Sequence, residues 1–231
     1  NNRLCIGLDI DNEKLSNNSI DYMEKFINDI IEYTIDHCPI YKINFSFYEK
    51  HGYKGYKILE NIPKIVNNRS ITIADAKRGD IGNSSKCYAQ SIFEYLGYDS
   101  VTVNPYMGVD SILPFLDYQD KGVFILCLTS NSGSFDFQKL KINNKELYKY
   151  VALKAVELNN NNNIGLVVGA TNSNEMDEIK SITKDLSWLI PGVGTQGGDL
   201  VKSLEAEKSN GLSVINVSRD IIYSGKGTLE D

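Results

Sequence analysis

The sequence predicts a closed (β/α)8 TIM barrel in a single domain over residues 1–231. Three observations carry this. Eight short apolar runs of strand length alternate with segments of helical periodicity, the pattern of a parallel sheet with crossover helices. Apart from the first two loops the connections are short, and no linker divides the chain. No G-x-G-x-x-G fingerprint follows the first strand, which counts against an open doubly wound sheet. Eight units in 231 residues sit at the small end of the usual barrel size of about 250.

Arg3 to Ile10 is a continuous apolar run closing on Asp9, a strand buried on both faces. Asp11 to Asn18 is a polar loop. Ile20, Met23, Phe26, Ile27, Ile30, Ile31 and Thr34 then recur at helical spacing, with Ser19 as N-cap and Pro39 as a stop. Ile40 to Phe45 is the second strand, with Lys42 and Asn44 on one face, and a helix from Tyr56 to Val66 follows. The third strand, Ile71 to Ala74, runs into Asp75-Ala76-Lys77-Arg78-Gly79-Asp80-Ile81. Strand side chains alternate, so Asp75 and Lys77 share a face. Past Gly79 the chain turns away and takes Asp80 with it.

Helix Ser84 to Leu96 leads to a fourth strand, Ser100 to Val103, and a short helix, Val109 to Leu116. Gly122 to Leu128 is the fifth strand, followed by a helix from about Lys145 to Leu158. The asparagines Asn159 to Asn163 form a low-complexity surface loop. Ile164 to Val168, a helix from Glu175 to Thr183, Trp188 to Ile190, a helix ending at Leu204, and Ser213 to Val217 complete the alternation.

The formal net charge of -6 provides no basic field for a phosphate backbone, which argues against a nucleic-acid partner. Cys5, Cys38, Cys87 and Cys127 form no C-x-x-C pair; three of them read as small buried hydrophobes in a reducing compartment. No signal peptide is read at Asn1-Asn2-Arg3 and no apolar run approaches a membrane span, so the expectation is a cytoplasmic protein without a membrane partner. Tyr22, Tyr53 and Tyr56 read as half-buried packing with a wet hydroxyl.

Barrels of this type place chemistry at the C-terminal strand ends. There the sequence offers Asp9, Lys42 and Asn44, Asp75 and Lys77, Thr129 and Ser130, then Gly192, Gly194, Gln196 and Arg219. Glycines after strand seven and an arginine after strand eight occupy the usual phosphate position, where free N–H groups and a guanidinium suit a dianion. The bland alternatives are a surface salt bridge for Arg219 and a structural ion-pair network for Lys42, Asp75 and Lys77. Three such charges converging in one mouth favour function. His37 and His51 form no Ser-His-Asp arrangement, and no cluster has metal-ligand spacing.

Asp75-Ala76-Lys77-Arg78-Gly79-Asp80-Ile81-Gly82 resembles the D-x-K-x-x-D-I signature of the orotidine 5'-monophosphate decarboxylase family. The resemblance covers nearly the whole chain, through Gly7-Leu8-Asp9, Lys42-Ile43-Asn44-Phe45, Val103-Asn104-Pro105-Tyr106-Met107-Gly108 and Thr129-Ser130-Asn131. It continues through Pro191-Gly192-Val193-Gly194-Thr195-Gln196-Gly197-Gly198-Asp199 and Asn216-Val217-Ser218-Arg219. It implies a homodimeric barrel that needs no cofactor and no metal and converts orotidine monophosphate to uridine monophosphate and CO2. Lys42, Asp75 and Lys77, with Asp80 from the other subunit, would form an alternating charge network. Asp9 and Asn44, with Ile81 and Ser84 of the neighbour, would lie on the ribose side. Ser130 and Gln196 would read the pyrimidine and close over the phosphate, and Pro191, Gly198 and Arg219 would complete the substrate contacts.

Two departures stand out: Ser84 replaces the family's usual threonine, and Val217-Ser218-Arg219-Asp220 replaces Ser-Ser-Arg-Ala, adding a negative charge beside the arginine. Loss of CO2 from an sp2 carbon leaves a carbanion with no electron sink, so a preorganised cation has to stabilise it; Lys77 is the expected cation and proton donor. The alternatives are a sugar-phosphate decarboxylase or epimerase using a metal-binding carboxylate, and a non-catalytic nucleotide-binding barrel.

Overall fold

The computed structural model describes residues 3–193, 200–207 and 213–224. Eight parallel strands close into a barrel: β1 (Leu4–Gly7), β2 (Ile40–Asn44), β3 (Ile71–Arg78), β4 (Ser100–Val103), β5 (Gly122–Leu128), β6 (Ile164–Val168), β7 (Ser187–Ile190) and β8 (Val214–Val217). Sequential strands pair in order, and β8 closes on β1 through Leu4↔Ile215, Cys5↔Asn216 and Ile6↔Val217. The expected barrel is therefore the observed one. No helix among the described residues is long and apolar enough to cross a membrane.

The helices pack outside. Helix α1 (Ile20–Thr34) starts where Ser19 Oγ accepts the Tyr22 N–H, and it buries Met23, Ile27 and Ile31 at a four-residue spacing. Around the ring follow α2 (Ser46–Glu49), α3 (Tyr53–Val66), α4 (Gly82–Gln90), α5 (Leu113–Leu116), α6 (Leu147–Leu158), α7 (Ser173–Thr183), α8 (Leu200–Glu207) and α9 (Arg219–Ile222). Trp188 is fully buried against this layer and donates its indole N–H to Thr183 Oγ1 at 3.3 Å.

Several boundaries differ from the sequence reading for local reasons. Helix α3 begins three residues before Tyr56, because Gly52 at φ +58 turns the chain early. Tyr53 thereby sits at the helix start and is 80% exposed, not half-buried as expected. The helix expected over Val109 to Leu116 splits into a 3-10 turn, Val109–Ser111, and α5. Lys145–Glu146 pairs with Lys141–Ile142 as a small antiparallel hairpin, so α6 starts only at Leu147. β3 carries the charged stretch as far as Arg78, and its register against β4 shifts between Ala74 and Arg78.

The barrel interior changes character along the strand direction. Its lower part is an apolar cluster of Cys5, Ile73, Val167, Leu189 and Val214, with Ile40, Phe124 and Leu126 packed on it. Gly165 makes room for the Phe124 ring, since a Cβ there would stand 2.6 Å from it. The next inward position on several strands, two residues on, is polar: Lys42, Asp75, Thr102 and Asn216. All four are under 9% exposed. Four buried polar side chains cannot be left unpaired, so this layer has to bond to itself.

Candidate active site

The polar layer forms one connected row. Lys42 Nζ lies 3.2 Å from Asp9 Oδ1 and 3.1 Å from Asp75 Oδ2. Lys77 Nζ lies 2.6 Å from Asp75 Oδ1. The charges thus alternate as Asp9, Lys42, Asp75, Lys77. Each carboxylate is also held by a hydroxyl from another strand: Ser218 donates to Asp9 Oδ2 at 2.8 Å, and Thr102 donates to Asp75 Oδ1 at 3.0 Å. Asn216 supports Ser218 with an N–H···O bond of 3.3 Å. Gly7 is needed for this end of the row, because a Cβ there would come within 1.9 Å of Ser218 Oγ.

Electrostatics keep the two most buried members charged. Burial alone favours a neutral Lys42, but Asp9 and Asp75 outweigh it and raise the lysine above its ordinary value. Burial likewise opposes ionisation of Asp75, yet Lys42 and Lys77 lower its carboxyl to about 2. Across the neutral range Lys42 and Asp75 stand as a fixed ion pair.

The two lysines differ in access. The Lys42 side chain is 4% exposed and that of Lys77 is 47% exposed. Lys77 is placed by a bulge, not by simple strand alternation. Its backbone adopts φ +47, where β3 shifts register against β4. A side chain there costs roughly 1–2 kcal/mol. The next residue clamps the distortion: Arg78 pairs with Glu49 and lies 5.6 Å and 5.2 Å from the Phe45 and Tyr88 ring centres.

Above the row lies a cleft of about 280 Å³ lined by the four charged residues together with Asn44, Ser130, Pro191 and Arg219. Asn44 accepts from Ser46 Oγ at 2.9 Å, leaving its amide nitrogen as the group able to donate. Ser130 is seated by close approach of Gly169, whose Cβ would fall 2.6 Å from the Ser130 nitrogen. Gly192 takes φ +96 in the turn after β7, and Arg219 opens α9 after the neighbouring β8. Asp220 is exposed and is not part of the cleft's described lining. Leu126, Val167 and Leu189 form the apolar floor. Gln196 and Gly198 lie outside the described residues.

Asp80, Ile81 and Ser84 stand apart from this cleft. They occupy the turn after β3 and the first turn of α4. Asp80 Oδ1 accepts the Ile81 N–H at 2.7 Å, and Ile81 is 49% exposed. Thr102, Ser218 and Asn216 were not among the sequence-derived site residues. Strand parity was the available signal for Thr102 and Asn216, since both occupy inward positions. Among the described residues no group of three or more His, Cys, Asp or Glu is placed to hold a metal ion.

A family model described as "Orotidine 5'-phosphate decarboxylase / HUMPS family" matches residues 2–230. The chain belongs to this family. It is 49% identical over 231 residues to an orotidine 5'-phosphate decarboxylase of Dehalococcoides mccartyi, covering 97% of this chain and 85% of that protein. It is 45% identical to one from Christiangramia forsetii, covering 96% and 84%. Among solved structures, the OMP decarboxylase of Leishmania donovani superposes with a TM-score of 0.85 at 35% identity, covering 97% of this chain and 87% of that one. UMP synthase from the same organism gives a TM-score of 0.89 at 37% identity; there the chain spans 50% of the longer protein.

Within the family's barrel the two lysines have different structural weights. Lys42→Ala would leave Asp9 and Asp75 buried around an empty position, a loss of about 3–5 kcal/mol. Lys77→Gly removes a half-exposed ammonium, leaves the buried Asp75 still paired with Lys42 and Thr102, and relieves a left-handed backbone. Urea unfolding should therefore show a large loss for Lys42→Ala and a change within about 1 kcal/mol for Lys77→Gly. Equal losses would show that Lys77 also supports the fold.

Proposed function

We propose that this chain decarboxylates orotidine 5'-monophosphate to uridine 5'-monophosphate and CO2, with Lys77 stabilising and protonating the carbanion. This is the last step of de novo pyrimidine synthesis. The relatives named above carry the reaction class. The observation that carries the role of Lys77 is its exposure: both lysines bind Asp75 and line the cleft, and of the two Lys77 is much the more exposed.

In this reading the pyrimidine lies over the row with its carboxylate toward Asp75 and Lys77. As the C–C bond breaks, negative charge develops on the ring carbon, and the ammonium already stands beside it. Its orientation precedes the substrate, so little reorganisation accompanies charge development. Lys77 then transfers a proton to the carbon. Lys42 stays charged and holds Asp75 in place. Asp9 and Asn44 serve the ribose, Ser130 the pyrimidine, and Pro191, Gly192 and Arg219 the phosphate side, to which Gln196 and Gly198 are also assigned. Binding energy from the remote phosphate then contributes to lowering the barrier.

The sugar-phosphate alternative needs carboxylates available to a metal. Here Asp9 and Asp75 both point their oxygens at lysine ammonium groups or hydroxyls, which favours the nucleotide reading. A purely binding role leaves the half-exposed Lys77 and its bulge without a purpose.

Asp80, Ile81 and Ser84 are assigned to the cleft of a second copy. Support comes from their place outside their own cleft and from the exposed apolar Ile81 beside them. The same β3 end then serves two sites, with Asp75 and Lys77 in one and Asp80 in the other.

Lys77→Ala should bind uridine 5'-monophosphate but release CO2 from orotidine 5'-monophosphate near the uncatalysed rate. A variant retaining a tenth of parental kcat, a loss of only about 1.4 kcal/mol, would remove Lys77 as proton donor. The shared site has its own check. Lys77→Ala and Asp80→Asn chains, each nearly inactive alone, should regain activity when mixed into dimers, since one site in each mixed dimer is intact. Mixed dimers as inactive as their parents would place Asp80 in its own chain's site.

A further inference from the structure

Thr102 stands between the two groups on which the proposed chemistry depends. It lies on β4 and is 1% exposed. Its Oγ1 is 2.9 Å from the Lys77 backbone nitrogen and 3.0 Å from Asp75 Oδ1. A threonine hydroxyl carries one proton. The backbone N–H can only donate, and an ionised carboxylate can only accept. The direction is therefore fixed: Lys77 N–H donates to Thr102 Oγ1, and Thr102 O–H donates to Asp75.

We propose that Thr102 is a positioning residue of the decarboxylation, tying the left-handed backbone of Lys77 to the carboxylate that orients its ammonium. The inference rests on the reading of Lys77 as proton donor and deepens it.

Two features of the strand carry the argument. The β3–β4 ladder is interrupted between Ala74 and Arg78, so the Lys77 N–H goes to a side chain instead of a strand carbonyl. A part-buried N–H that has left its ladder needs such a partner, and a non-glycine residue at φ +47 needs a reason to stay there. The same hydroxyl also reaches Asp75 Oδ1, the oxygen that holds Lys77 Nζ at 2.6 Å. Both ends of the Lys77 residue, its backbone nitrogen and its ammonium, are thereby referred to one point on β4. Oδ2 of Asp75 is taken by Lys42. With both carboxylate oxygens engaged, the carboxylate has little freedom to rotate, and Nζ is held where the cleft requires it.

Loss of the Thr102 hydroxyl would leave the backbone N–H of Lys77 without an acceptor and give Asp75 Oδ1 one donor fewer. The charged groups around Asp75 would remain: Lys42 on β2, Lys77 on its own strand and Asp9 beyond Lys42. The predicted defect is therefore in placement of the ammonium, not in the charge of the site.

The test compares parent, Thr102→Val and Thr102→Ser for turnover of orotidine 5'-monophosphate and for binding of uridine 5'-monophosphate. Thr102→Val should lose about 10- to 100-fold in kcat, the worth of a hydrogen bond to a charged group. KM and uridine 5'-monophosphate affinity should change little, because the contacts assigned to the ribose, the phosphate and the far side of the pyrimidine lie elsewhere in the cleft. Thr102→Ser should recover most of the lost kcat, as it keeps the hydroxyl and drops only a methyl. Should Thr102→Val fail to fold, Thr102→Ala carries the same comparison. A Thr102→Val enzyme with parental kcat, or a Thr102→Ser enzyme as poor as Thr102→Val, would overturn the positioning role. A parent that releases no CO2 would instead overturn the decarboxylase reading, and the role of Thr102 with it.

Discussion

A lysine ammonium inside a barrel has to be neutralised, and that one constraint shapes the site. Lys42 is 3% exposed and touches two carboxylates. Without Asp9 and Asp75 its charge would be prohibitively costly to bury; with them it becomes the fixed centre of the row. Asp75 then needs a second cation, and Lys77 supplies it. Asp9 needs a donor on its far side, and Ser218 supplies that. The row extends outward from Lys42 in both directions until it meets the cleft.

This arrangement separates structural charge from chemical charge. Lys42 is committed to two carboxylates and buried, so its ammonium is spent on order. Lys77 shares one carboxylate and faces the cleft, so its ammonium can act on a ligand. A strained backbone puts it there. The bulge at φ +47 is held by Thr102 on one side and by Arg78 with Glu49, Phe45 and Tyr88 on the other. Strain at a site of this kind persists because the surroundings over-determine it.

Much of this was legible in the sequence. The alternation of apolar runs and helical spacing was enough for the barrel, because each strand is buried on both faces and each helix on one. The parity of Lys42 and Asn44, and the inward position of Asp75, placed these residues at one mouth; Lys77 reaches the same mouth through the bulge. What escaped were side-chain contacts between strands. Thr102 reads as an ordinary β-branched strand residue until β4 lies beside β3, and Ser218 reads as a turn until Gly7 opens space for it. The left-handed Lys77 was equally invisible, since a lysine carries no propensity for that conformation. Gly52 moved the start of α3, and with it Tyr53, for the same local reason that any glycine at positive φ can end one element and begin another.

The central claim is that the Lys77 ammonium exchanges a proton with the pyrimidine carbon that loses CO2. By microscopic reversibility the group that protonates that carbon must also remove the proton from bound product. The most direct measurement is therefore exchange of that carbon-bound hydrogen of uridine 5'-monophosphate with deuterated solvent, followed by proton NMR. The parent should catalyse the exchange, and Lys77→Ala should bind the nucleotide without exchanging it above the solution background. Exchange by Lys77→Ala at the parental rate would contradict the account.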